Sequence, residues 1–114
     1  MIPYGKQEIS EEDIRYVIET LRSDWITQGP KVQEFEKEII KKIGCKYAIT
    51  ANSATSCLHI ACKALDLKNS DWVWTSPNSF VASANAALYC GANIDFVDID
   101  PLTYNISCEK LEKK

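Results

Sequence analysis

Two short stretches hold residue types able to do chemistry together. Asn52, Ser53, Ala54, Thr55 and Ser56 form a run of small polar residues directly ahead of an apolar, helix-patterned stretch. A helix start leaves its first amides without intrahelical partners and carries the positive end of the helix dipole. Hydroxyls from Thr55 and Ser56 at that point would complete a donor set for a phosphate. A simpler role is open to the same residues, with Ser53 as an N-cap and Thr55 and Ser56 as ordinary first-turn residues. The second stretch is Pro77, Asn78, Ser79 and Phe80, again between a short apolar run and a helical one. Phe80 could stack on a planar ring or pack as a staple beneath the following helix.

Other candidates carry less chemistry. Asp98 and Asp100 resemble a carboxylate pair, but they precede Pro101, where a cap-and-turn role is expected. His59 follows Thr55 by one helical turn and has no orienting partner in sequence, which points to a helix-face residue rather than a general base. Five cysteines, Cys45, Cys57, Cys62, Cys90 and Cys108, contain no CxxC pair, and one histidine does not complete a zinc site, so no metal is expected. The cysteines in apolar helical stretches are expected as small buried thiols.

The elements that position these residues follow from periodicity. Ser10 and Asp13 form a variant capping box ahead of Ile14, Val17, Ile18 and Leu21, predicting a helix over 11–22. Ser23 to Pro30 is expected as a loop, and Val32, Phe35, Ile39 and Ile43 mark a second helix that Gly44 ends. Beyond it the pattern alternates: strand 46–51, helix 54–65, strand 72–75, helix 81–90 stopped at Gly91, strand 94–99, and a further helix starting after Tyr104. Strands separated by helices of this length are most simply parallel, so the fold class is α/β in a three-layer arrangement, with both candidate stretches at the carboxyl ends of strands. The expected division is a helical segment, 1–44, followed by an α/β part, 45–114. Three parallel strands make an incomplete sheet, because such sheets are normally larger and covered on both faces; truncation is the economical expectation.

Composition narrows the partners. The 114 residues carry a net charge of −3 with acids and bases interspersed, so no basic stripe points to nucleic acid. Apolar runs are too short for a membrane span, residues 1–20 are polar where a signal peptide is apolar, and a cytoplasmic address is expected. The absence of both GxGxxG and GxxxxGK[ST] counts against a generic nucleotide-binding α/β module.

Taken in order, Ile2-Pro3-Tyr4-Gly5, Trp25-Ile26-Thr27-Gln28-Gly29-Pro30, Val32-Gln33-Glu34-Phe35-Glu36, Asn52-Ser53-Ala54-Thr55-Ser56, the stretch from Asp71 to Asn85, Gly91-Ala92, and Val97-Asp98-Ile99-Asp100-Pro101 with Thr103-Tyr104-Asn105-Ile106 constitute a resemblance. The chain resembles the sugar aminotransferases of the DegT/DnrJ/EryC1/StrS family nearly end to end. That likeness implies the amino-terminal part of an aspartate-aminotransferase-like, fold type I large domain that uses pyridoxal 5'-phosphate. It implies a phosphate site at Thr55 and Ser56 and a ring-stacking residue at Phe80. It also implies substrate contacts from Tyr4, Asp24, Trp25, Ile26, Thr27 and Ala54, with packing of the first helix as the other role open to Trp25.

Within the family the similarity is strongest to the branch serving pseudaminic acid synthesis. The implied reaction moves an amino group from glutamate to a UDP-linked 4-keto-6-deoxy sugar, in a homodimer. A different sugar, or a non-catalytic truncated product, are the alternatives. Two departures stand out. Lys68-Asn69-Ser70-Asp71-Trp72 replaces a Gly-containing turn with an Asp-Glu pair, and the family's cofactor-bonding lysine and its pyridine-pairing Asp have no counterpart in these 114 residues.

Overall fold

The computed structural model describes residues 2–114 and divides the chain into two compact units, the first running to Thr50 and the second from Ala51 to Lys114.

The first unit is built on two amphipathic helices. Helix α1, Glu11–Leu21, opens on a reciprocal capping box: the Asp13 N–H donates to Ser10 Oγ at 3.2 Å, and the Ser10 N–H donates to Asp13 Oδ2 at 2.8 Å. The Ser10 N–H first, then the Ser10 hydroxyl, which donates to the same carboxylate oxygen at 2.8 Å, hold the Asp13 carboxyl below the usual carboxylate range. Helix α2, Pro30–Ile43, starts with Pro30, whose missing N–H is no loss in a first turn, and ends at Gly44 in the left-handed conformation, φ 74°. Neither helix buries a residue within the described structure; Ile14, Val17 and Leu21 on α1 and Phe35 on α2 stay exposed.

Residues 46–51, expected as a strand, form none. A strand is held by a ladder partner, and none is present among the described residues. The segment is instead tied back to α2, where the Thr50 N–H and hydroxyl both donate to Glu36 Oε1 at 2.9 Å. Residues 46–50 therefore fall with the first unit, and Ala51 opens the second.

The second unit is a βαβ arrangement. After helix α3, Ala54–Ala64, come strand β1, Trp72–Thr75, helix α4, Ala82–Leu88, strand β2, Asn93–Phe96, and the short helix α5, Cys108–Glu112. The strands run parallel, pairing Trp72 with Asn93, Val73 with Ile94, Trp74 with Asp95 and Thr75 with Phe96. The expected sheet of three strands thus contains two among the described residues. The third predicted strand is shorter than expected because Ile99 leaves the ladder to bridge Ile106 in a turn.

Alanine makes the core. Ala82, Ala84, Ala86 and Ala87 of α4 are buried together with Ala92 and Val97, and α4 packs on α3 and on both strands. Small side chains let helix and sheet approach closely, and full burial of Val97 contributes about 1.5–3 kcal/mol. Trp72 and Trp74 alternate onto the opposite, exposed face, at 55% and 42% exposure. The turn before β1 closes without glycine: Asp71 Oδ2 accepts the Lys68 N–H at 2.7 Å, and the Asp71 N–H donates to the Lys68 carbonyl at 3.0 Å.

Candidate functional site

At the start of α3 the cap role is the one that the hydrogen bonds realise. Ser53 is the N-cap, its Oγ accepting the Ser56 N–H at 3.1 Å. The amides of Ala54 and Thr55, one and two residues into the helix, keep no intrahelical acceptor. The Ser56 hydroxyl donates to Asn52 Oδ1 at 2.7 Å and lies 3.0 Å from Ser53 Oγ. Ala54 is exposed and Thr55 and Ser56 half-buried, so two free amides and the Thr55 hydroxyl are open to an incoming anion. This donor set matches the needs of a phosphate, and capping by Ser53 uses one amide without closing the helix end.

Phe80 lies beyond the carboxyl end of β1 and is 74% exposed. It borders a cavity of about 190 Å³ with Thr75, Ser76, Pro77, Val81 and Phe96, open at the carboxyl ends of both strands. An exposed aromatic face at this edge of a parallel sheet is suited to a planar ring.

The residues expected to meet substrate lie in the first unit, while Ala54, Thr55, Ser56 and Phe80 lie in the second. Tyr4 is fully exposed. Asp24, Trp25, Ile26 and Thr27 form an exposed loop between α1 and α2. Ser23 anchors it: its hydroxyl donates to the Thr20 carbonyl at 2.7 Å and its Oγ accepts the Trp25 N–H at 3.2 Å. Trp25 borders an open hollow of about 350 Å³ with Gln28, Gly29, Pro30 and Gln33. Gln28 and Gln33 stand in the motifs quoted for the resemblance, but no role was expected of them, because isolated amides carry no spacing signal.

The remaining candidates settle into structural roles. Asp100 Oδ1 accepts the Leu102 and Thr103 N–H groups at 2.8 and 3.0 Å, and these bonds lower its pKa. Asp98 accepts Lys110 Nζ at 2.9 Å and the Ile99 N–H at 2.8 Å; the lysine first, then the amide, holds its carboxyl below the usual range. Asp95, paired with Trp74 across the two strands, is held below the usual range by Lys114 first and then by the Phe96 amide, with a smaller lowering from the Trp74 side chain. His59 is half-buried, edge-on to Tyr89 with ring centroids 5.4 Å apart, and its Nε2 has no partner among the described residues. All five cysteines are free, and burial, then the neighbouring Cys90, pushes the Cys62 thiol up. No described helix is long and apolar enough to cross a membrane.

The chain is similar in sequence and fold to known proteins. The chain is 45% identical over 97% of its length to the Bacillus subtilis spore coat polysaccharide biosynthesis protein SpsC. It is 44% identical over its whole length to a Campylobacter jejuni UDP-4-amino-4,6-dideoxy-N-acetyl-beta-L-altrosamine transaminase. It spans 28% and 30% of those two proteins, less than a third of each. Among solved structures, 98% of the chain superposes on 29% of the Streptococcus pneumoniae protein Spr1654 in its PLP form, with a TM-score of 0.93 and 32% identity. The α/β unit is accordingly a part of the fold of the PLP-dependent sugar aminotransferases, and the family's cofactor is pyridoxal phosphate. With the profile of the DegT/DnrJ/EryC1/StrS aminotransferases matching residues 7–114 on top of this likeness, the chain belongs to that family.

Proposed function

We propose that this chain is the amino-terminal part of a nucleotide-sugar transaminase, moving an amino group from glutamate to a UDP-linked 4-keto-6-deoxy sugar. The observation that carries the reading is the start of α3, where free amides at Ala54 and Thr55 stand beside the Thr55 and Ser56 hydroxyls in a chain of this family. When bound, pyridoxal phosphate supplies the electron sink for amino transfer. Thr55 and Ser56 hold its phosphate, Phe80 stacks on its ring, and Tyr4, Ala54 and the loop from Asp24 to Thr27 contribute to the substrate pocket. The altrosamine transaminase likeness supports the sugar class. Free cysteines fit a reducing cytoplasm, and the extent of exposed apolar surface fits a homodimer.

The test is turnover by the full-length protein with glutamate and a panel of UDP-linked 4-keto sugars, followed by mass spectrometry of the sugar. An amino sugar formed only when both substrates are present supports the reading. Amination of a different keto-sugar class overturns the substrate assignment, and no amination with any sugar overturns the transaminase.

A further inference from the structure

Two thiols of the second unit lie where α3 packs on α4, away from the phosphate and ring positions. Cys62 is on the last turn of α3, and Cys90 lies in the turn after α4, where its N–H donates to the Ala87 carbonyl at 3.0 Å. Both are half-buried, whereas Cys57 and Cys108 are exposed. The alanines of α4 suit a close join, since small side chains let helices approach toward the short end of the usual interaxial range, about 8–10 Å. A contact fixes that join beside both thiols. His59, one turn before Cys62 on the same helix face, stands edge-on to Tyr89, the residue before Cys90, with ring centroids 5.4 Å apart. Water is shut out here, because His59 Nε2 is buried. Cys57, five positions before Cys62, is turned about 140° away around the helix and cannot share the join.

We propose that Cys62 and Cys90 are a redox-active thiol pair, which hydrogen peroxide converts to a disulfide that clamps the end of α3 to the end of α4. In the first step the Cys90 sulfur attacks one peroxide oxygen. An S–O bond forms and the O–O bond breaks, and water leaves with the Cys90 thiol proton. Cys90 is then a sulfenic acid, oxidised by two electrons as the peroxide is reduced. In the second step the Cys62 sulfur attacks the Cys90 sulfur. The S–S bond forms, the S–O bond breaks, and a second water carries off the Cys62 proton. Two thiols and one peroxide thus give one disulfide and two waters. Cys62 takes the second step because burial, then the neighbouring Cys90, pushes its thiol up and keeps it protonated. Peroxide is the matching oxidant because a half-buried join admits a molecule of that size and excludes a bulky disulfide such as oxidised glutathione. Both cysteines are free thiols, the resting state of such a pair in a reducing compartment.

The experiment exposes the reduced full-length protein to hydrogen peroxide, blocks the remaining thiols with iodoacetamide and maps the cysteine peptides by mass spectrometry. A linked Cys62 and Cys90 peptide, lost on treatment with dithiothreitol, is expected as the main oxidised species. In Cys62→Ser the resolving thiol is gone, so dimedone, which traps sulfenic acids, should label Cys90 several-fold more than in the wild type. In Cys90→Ser, Cys62 should be recovered as the alkylated thiol. The clamp closes a loop of chain, so the oxidised wild type should unfold at a higher denaturant concentration than the reduced form. That difference should vanish in both serine variants. Recovery of Cys62 and Cys90 as separate alkylated thiols, under peroxide that oxidises the exposed Cys57 or Cys108, overturns the proposal. A disulfide from either to any other cysteine overturns it too, as does equal dimedone labelling of Cys90 with and without Cys62. The wild-type peptide map decides the matter even if a serine variant fails to fold.

Discussion

Gly29 lies so close to Trp25 that a methyl group on it would meet Trp25 Cβ at 2.7 Å. The backbone of Gly29 is extended, φ −152°, so the requirement for glycine here is one of space and not of backbone conformation. The contact seats the loop from Asp24 to Thr27 on the start of α2.

Gly29→Ala is therefore expected to displace Trp25 and the first turn of α2, at a cost of about 1 kcal/mol or more, since a Cβ has no freedom to move aside. In the full-length protein the variant should shift tryptophan fluorescence and weaken sugar-nucleotide binding while leaving cofactor affinity in place. Unchanged substrate affinity with a displaced loop would remove Trp25 from the substrate pocket.

The Asp98 and Lys110 pair gives a pH prediction. The folded-state pKa of Asp98 is depressed, so what the pair contributes is fully present above the ordinary carboxylate range and is lost as pH falls through the depressed value. Lys110→Met should raise the Asp98 titration toward the ordinary range. Asp100, held first by the Thr103 and Leu102 amides, should move much less. Carboxyl carbon shifts followed against pH test this, and an unmoved Asp98 would mean that the ion pair does not form in solution.

Core packing around α4 leaves no room for growth. Ala87 is completely buried where α4 packs, and Ala87→Leu is expected to destabilise by about 1–3 kcal/mol through overpacking. Leu88, exposed one position later, should tolerate Leu88→Ala with a change within about 0.5 kcal/mol. Denaturant unfolding of the two variants of the full-length protein makes the comparison, and equal effects would mean that α4 packs differently.

Stacking at Phe80 should be measurable as cofactor affinity. Phe80→Leu keeps an apolar side chain but removes the ring face, and it should weaken pyridoxal phosphate binding roughly three- to tenfold, the worth of an aromatic pair beyond its buried area. A Phe80→Tyr variant should bind as wild type does. If Phe80→Leu binds equally well, the ring lies elsewhere.

As an isolated polypeptide, the 114 residues should self-associate and show no transaminase turnover. Trp72 and Trp74 share one exposed sheet face, and both helices of the first unit show apolar residues to solvent. Light scattering at tens of micromolar, with Trp72→Lys and Trp74→Lys reducing the associated fraction, would bear this out. A stable monomer with a cooperative thermal transition would refute it.

Local signals determined most of the helices. The Ser10 and Asp13 capping box, Pro30 and Gly44 around α2, Ser53 ahead of α3 and Gly91 after α4 each act within a few residues, so sequence placed those boundaries nearly where they fall. The alternation of Trp72 and Trp74 likewise fixed their shared face, and the order of motifs alone placed the chain in its family. Pairing was another matter. Residues 46–51 have a strand's composition, but a strand exists only when a second segment completes its ladder, and here Thr50 bonds to Glu36 instead. The same reason decided the details of the site. Sequence offered Ser56 as a phosphate donor and Phe80 as either a ring platform or a staple. Only the folded chain brings the Ser56 hydroxyl to 2.7 Å from the Asn52 side chain and leaves Phe80 exposed, because both depend on neighbours that spacing along the chain does not specify.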